Sequence, residues 1–139
     1  MTLFALPYRP FQGDLSKNDR ILDECVKHPE RFTLPMSDQD IRITAASYLT
    51  NPANRVWEVW RGSEFVGILL LSRIVEGLDA LWHFVFFDDK LVGKRQLLCN
   101  FLRDECFGAL DLQRVSYEVP EHMGVLVRFV RAKLGFRYE

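Results

Sequence analysis

The chain has little of what disulfide-stapled, membrane-bound or nucleic-acid-coating proteins depend on. Its 139 residues hold three cysteines, at Cys25, Cys99 and Cys106, an odd number with no Cys-x-x-Cys spacing. That pattern excludes a disulfide framework and a zinc ribbon, and reads as buried, reduced thiols. No apolar run approaches the ~20 residues of a membrane span. The opening MTLFALPYRPF has neither the charged start nor the apolar stretch of a signal peptide. The net charge is −1, without the basic excess of a nucleic-acid or membrane-surface binder. There is no repeat, linker or low-complexity tract. These absences predict one domain over residues 1–139, a cytoplasmic setting, no metal, and neither nucleic acid nor membrane as a partner.

What is present is a core. Apolar residues make up 48% of the chain and aromatics 13%, enough to bury a sizeable interior and to argue against disorder. Leu3 to Leu6 reads as a first strand closed by Pro7 and Pro10. Ser16 reads as a helix N-cap, with Ile21, Leu22, Cys25 and Val26 on one face and an end near His28, before Pro29. Ser37 starts a second helix with an apolar stripe of Ile41, Ala45, Tyr48 and Leu49, stopped at Asn51-Pro52. Val56–Trp60, Phe65–Val75 and Asp79–Phe87 then form an antiparallel meander, its middle strand apolar enough to be buried on both faces. A third helix runs from about Gly93 to about Ala109, and Arg114–Val119 is the next strand. A fourth helix from Pro120-Glu121 buries Leu126, Val127, Val130 and Leu134, with Gly135 as its C-cap. Phe136–Glu139 begins another strand. The long excursion between Phe87 and Arg114 makes those two strands parallel. The predicted class is mixed α/β, a mostly antiparallel sheet of about six strands with helices on both faces.

The stretch from Asp79 to Leu98 carries the strongest functional signal. A buried strand runs into a polar loop with one glycine and then into a helix. The first N–H groups of a helix lack intrahelical partners, and the helix dipole favours an anion there. Lys90, Lys94 and Arg95 add cations at the same place. The alternative is a solvated basic turn, because one glycine is a weak phosphate signal.

The order of elements resembles the GNAT superfamily of acyl-CoA-dependent N-acetyltransferases. Lys90-Leu91-Val92-Gly93-Lys94-Arg95 fits the frame of that family's pyrophosphate loop, Arg/Gln-x-x-Gly-x-Gly/Ala, and Val85 falls where its strand valine sits. Ala132-Lys133-Leu134-Gly135-Phe136 is similar to its Tyr-x-Lys-Leu-Gly-Phe helix end. The resemblance implies acetyl-CoA as co-substrate, held by Val85, Lys90, Val92, Gly93, Lys94, Arg95 and Arg131, between strands that splay apart. Transfer to an amine there needs a base, an oxyanion donor and an acid for the thiolate. Asp79 and His83, on one face of their strand, are the expected base and proton relay, and Glu118 is a second base. Each has a plainer reading: Asp79 as a turn residue, His83 as a packed core histidine, Glu118 as a solvent-facing carboxylate.

The chain also departs from the family's pattern. Arg95 replaces the loop's last small residue, Arg131 stands where the family's tyrosine acid falls, and the closing hairpin is missing or shortened. An open sheet edge there invites a second copy or a protein partner. Two readings follow. One is an acetyl-CoA-dependent N-acetyltransferase acting directly on an amine that the sequence does not name. The other is a catalytically inactive GNAT-fold structural or interaction protein, such as a bacteriophage virion component.

Overall fold

The computed structural model describes residues 5–29, 35–88 and 93–118. Five strands form one sheet in the order β1-β2-β3-β4-β5. They are β1 (Tyr8–Pro10), β2 (Arg55–Arg61), β3 (Glu64–Val75), β4 (Asp79–Phe86) and β5 (Arg114–Ser116). Among the described residues three α-helices accompany them, α1 (Leu15–Lys27), α2 (Asp38–Thr50) and α3 (Lys94–Phe101). The β1–β4 pairings are antiparallel, and β5 runs parallel to β4. The meander and the parallel crossover are as the sequence predicts. The expected fourth helix and the strand from Phe136 lie outside the described residues.

The expected strand at Leu3–Leu6 lies partly outside the described residues. Three local expectations are corrected. Tyr8–Pro10, expected to close a strand, is itself one. It occupies the sheet edge, where a proline's missing N–H costs no ladder bond. Asp14, not Ser16, caps α1: its carboxylate accepts the Lys17 N–H at 2.8 Å. Ser37 does cap α2, accepting the Asp40 N–H at 3.1 Å. The third helix is α-helical only to Phe101 and continues as a π-helix over Leu102–Ala109. There Leu110 N–H bonds the Glu105 carbonyl at 2.9 Å, a five-residue step typical of the wider turn. A Cβ on Gly108 would lie 3.0 Å from the Arg103 carbonyl, so glycine suits the close approach of that turn.

The sheet buries both faces. Trp57, Val59, Leu69, Leu71, Trp82 and Phe86 pack against Leu97, Leu98, Phe101 and Leu102 of the α3 segment. Phe101 is fully buried, edge-on to Trp57 at 4.8 Å and stacked on Trp82 at 6.1 Å. On the other face Ile21 of α1 meets Phe65 and Ile68, with Val85 and Phe87 beside them. The switch of faces along β3 follows from a bulge: Val59 pairs with Gly67 and Trp60 with Phe65, leaving Val66 over. Gly67 then lies so close to the Val85 carbonyl and the Phe86 ring that a Cβ there would overlap both.

Glu58 joins the elements on the α1 face. Its side chain is 0% exposed. Its carboxylate accepts from Lys17 Nζ at 2.7 Å, the Gln12 N–H at 2.9 Å, Trp60 Nε1 at 2.9 Å and Arg9 Nε at 3.2 Å. Burial alone pushes this carboxyl up, but the four donors outweigh it and hold it at about 2. The folded value lies below the ordinary 4.5. Its contribution is therefore present above about pH 4.5 and is lost as pH falls toward 2. At ~1.4 kcal/mol per unit the shift corresponds to about 3 kcal/mol. Urea unfolding at pH 7 is expected to find Glu58→Gln less stable than the parent by about that amount. The gap should close between pH 4.5 and 2; a pH-independent gap would refute the ionic role.

Candidate functional site

The site is built where β4 and β5 part. β4 pairs with β3 along its length, but with β5 only through Asp79↔Arg114, Ala80↔Val115 and Leu81↔Ser116. Past Leu81, β4 has no partner on that side among the described residues. Leu78 O accepts from the Gln113 and Arg114 N–H groups, while the Phe87 N–H bonds Val66 O on β3. Backbone direction alternates along a strand, so Phe84 and Phe86 turn their N–H and C=O groups toward the gap and Val85 turns its own toward β3. The residues that count are thus those flanking the expected Val85, which its strand parity could have revealed. Tyr117, just after β5, stacks on Phe84 at 5.1 Å and leans on Trp82 at 5.8 Å.

The start of α3 faces the same end of β4. Gly93 is its N-cap at φ 80°, a left-handed conformation, with no side-chain cap. Glycine takes that conformation at little cost, and the uncapped first-turn N–H groups are left for an anion. The Arg95 side chain is exposed, and Phe87 turns away to sit under Arg20 at 4.1 Å and edge-on to Phe65. Neither residue blocks the helix end. Lys94 is arranged differently from the sequence-based expectation of a phosphate cation. It is 3% exposed, and its ammonium donates to the Asp88 carbonyl at 2.7 Å and carboxylate at 2.9 Å. Arg61 holds the other Asp88 oxygen at 3.1 Å. Lys90, Val92 and Arg131 lie outside the described residues.

The expected proton-transfer residues are divided. Asp79 sits at the closed end of the gap, its carboxylate 2.9 Å from Arg114. Four residues of strand, at ~3.3 Å each, separate it from His83 by about 13 Å, too far for a direct relay. His83 lies further along β4, where the strands have separated. Its Nε2 is 3.0 Å from Ser72 Oγ, and its ring is 5.2 Å from Tyr48 of α2. Burial pushes its pKa down, Glu118 pulls it up and Arg73 pushes it down again. The structure therefore separates Asp79 from His83, and Glu118 acts on His83 only through its charge.

Sequence reasoning missed three residues around this histidine. Ser72 directly follows the apolar run of β3 and is 3% exposed. Arg73, its neighbour, adopts φ 49° at the second irregularity of β3, between Ser72 and Val75. Tyr48 belongs to the stripe of α2, and its ring contact comes from docking that helix on the sheet.

No protein-family model matches the sequence, and no curated protein matches it. Solved structures do. The chain superposes on the spermidine N-acetyltransferase of Vibrio cholerae, solved with CoA and spermine, at TM-score 0.71 and 17% identity, covering 96% of this chain and 82% of that one. It matches the N-acetyltransferase PseH of Campylobacter jejuni, solved with acetyl coenzyme A, at TM-score 0.66 and 9% identity, covering 96% and 91%. A GNAT-family acetyltransferase of Bacillus anthracis matches at 0.65 and 14%, covering 100% and 85%.

The chain has the GNAT fold. At these identities the likeness is one of architecture, and the activity must be argued from the site. The GNAT sheet here keeps the parted strands and the glycine-capped helix that the sequence resemblance implies. His83 should titrate below the ordinary 6.5 and so be neutral at pH 7. Imidazole chemical shifts followed by NMR across pH 4–8 test this; a midpoint at or above 6.5 would show a solvated ring.

Proposed function

We propose that this GNAT-fold protein is an acetyl-CoA-dependent N-acetyltransferase that transfers acetyl directly to an amine. The observation that carries the reading is the limited pairing of β4 with β5. Among the described residues it leaves main-chain groups of Phe84 and Phe86 without a strand partner on that side, beside the uncapped start of α3. An extended arm with amide groups can bond to such an edge as an added strand does. A diphosphate suits the N–H groups of Lys94, Arg95 and Gln96 in the first helical turn. Arg95 reaches it as an exposed cation, whereas the Lys94 ammonium stays with Asp88 and shapes the loop.

Bound acetyl-CoA supplies an acetyl group activated as a thioester. The neutral amine attacks the carbonyl carbon, a C–N bond forms, and the C–S bond then breaks to release thiolate. A main-chain N–H in the gap stabilises the oxyanion. Once the C–N bond has formed, the nitrogen is far more acidic than a free ammonium, so a base of low pKa can take its proton. His83, neutral and desolvated, fits that role. Glu118 favours the imidazolium that results. Asp79, paired with Arg114, has no part in this scheme.

One observation favours the non-enzymatic alternative. The buried Lys94 ammonium is neutralised by Asp88, so the loop offers phosphate less charge than its composition suggests.

A thermal-shift titration separates the two. Acetyl-CoA at ~100 times its dissociation constant should stabilise the protein by about 2.7 kcal/mol. Gly93→Val should abolish the shift by straining the left-handed cap. With a panel of primary amines that includes spermidine, His83→Gln should lower kcat by ~100-fold or more while leaving the acetyl-CoA shift intact. No shift at millimolar acetyl-CoA would establish the structural reading.

A further inference from the structure

His83 has a charge of each sign on its two flanks, which bears on the amine it serves, an inference that rests on the reading of His83 above. On one flank, β5 runs parallel to β4 with Ser116 opposite Leu81. Two residues further along the two strands come Glu118 and His83. Alternation gives Glu118 the face that carries Leu81 and His83. Tyr117, before it, stacks on Phe84 of the other face, so the alternation continues past the end of β5. On the opposite flank, Ser72 Oγ lies 3.0 Å from His83 Nε2, and Arg73 is the next residue of β3. Both Arg73 and Glu118 are exposed. Neither belongs to an ion pair among the described residues. Both charges are felt at the ring, where Glu118 pulls the pKa up and Arg73 pushes it down.

Arg73 is also a strained residue. The ladder is interrupted between Ser72 and Val75, and Arg73 takes φ 49° there. That is the left-handed region, which glycine enters freely and other residues seldom do. Irregularities of this kind re-aim side chains and recur beside active sites. What arginine adds over glycine at this turn is a guanidinium. The guanidinium is not placed for a diphosphate at the start of α3. Ser72 lies opposite Leu81, and five residues of β4 at ~3.3 Å each put Phe86 about 16 Å further on. A cation beside the acceptor nitrogen repels a second ammonium. It suits a carboxylate, which a guanidinium binds through two parallel N–H bonds. Glu118, on the far side, favours the positive charge that the nitrogen carries once the C–N bond has formed. We propose that the acceptor is an amine that also carries a carboxylate, the class of the free amino acids, and that Arg73 binds that carboxylate and sets the specificity. A polyamine would meet Arg73 as a like charge.

Binding can be read without turnover from the His83 imidazole resonances of the full chain. The probes are two matched pairs, leucine with isoamylamine and 4-aminobutyrate with propylamine, the second of each pair lacking the carboxylate. At least one carboxylated member should shift the His83 signals saturably, and its partner at the same concentration should not. Arg73→Gly suits φ 49° and should fold at least as stably as the parent, yet lose that response. Arg73→Lys, which keeps the charge without the fork, should retain part of it. With acetyl-CoA present, the ratio of kcat/KM between the two members of the responding pair should fall ~30-fold in Arg73→Gly, the loss expected for a charge-assisted contact. The proposal is overturned if neither carboxylated amine gives a response, if both members of each pair respond equally, or if the response survives Arg73→Gly. Failure of the acetyltransferase reading looks different. Acetyl-CoA would then give no thermal shift and no amine would be acetylated, while the response to the carboxylated amine and its loss in Arg73→Gly would stand.

Discussion

A fully buried carboxylate, Glu58, holds the α1 side of this molecule together. An unpaired charge there would be prohibitive, so the groups around it are constrained to stay. Arg9 anchors the edge strand β1 to β2, Trp60 satisfies the carboxylate from within β2, and Lys17 ties in the first turn of α1. With its start held, α1 lays Ile21 on Phe65 and Ile68 and sends Arg20 to the Phe65 carbonyl at 2.8 Å. α2 packs on α1 and carries Tyr48 to the His83 ring. The Tyr48 side of the candidate site thus depends on an ion cluster on a different strand.

The other side depends on β3. Its first irregularity lets the strand feed both cores, and the glycine there brings β3 and β4 backbones into close contact. Its second irregularity interrupts the ladder between Ser72 and Val75. β4 is thereby paired with β3 along its length, while among the described residues β5 meets it through three residue pairs. Electrostatics follow separately: Asp88 draws Lys94 and Arg61 into local pairs, and among the described residues the helix N–H groups and Arg95 stand outside those pairs.

Much of the architecture was legible in the sequence because it rests on local rules. Alternating and continuous apolar runs marked β2, β3 and β4, Ser37 marked the start of α2, and the long connection to Arg114 required a parallel β5. The misses have physical causes. Tyr8–Pro10 looked like a break because a strand's tolerance for proline depends on its being an edge. Ser16 is a good cap by residue type, and only the way the chain enters α1 puts Asp14 in that place instead. The π-helical turn depends on how Phe101, Leu102 and Cys106 seat on Trp57 and Trp82.

For the site, the chain alone determined that a strand, a glycine and a helix start follow one another, since that order is covalent. It also determined that His83 lies on that strand. Only the folded structure decided which groups meet. Whether a lysine is a ligand's partner or a neighbour's depends on Asp88 being within reach. Whether Asp79 or His83 lies at the gap depends on where β5 stops pairing. Those are distances between residues far apart in the chain, and local pattern carries no information about them.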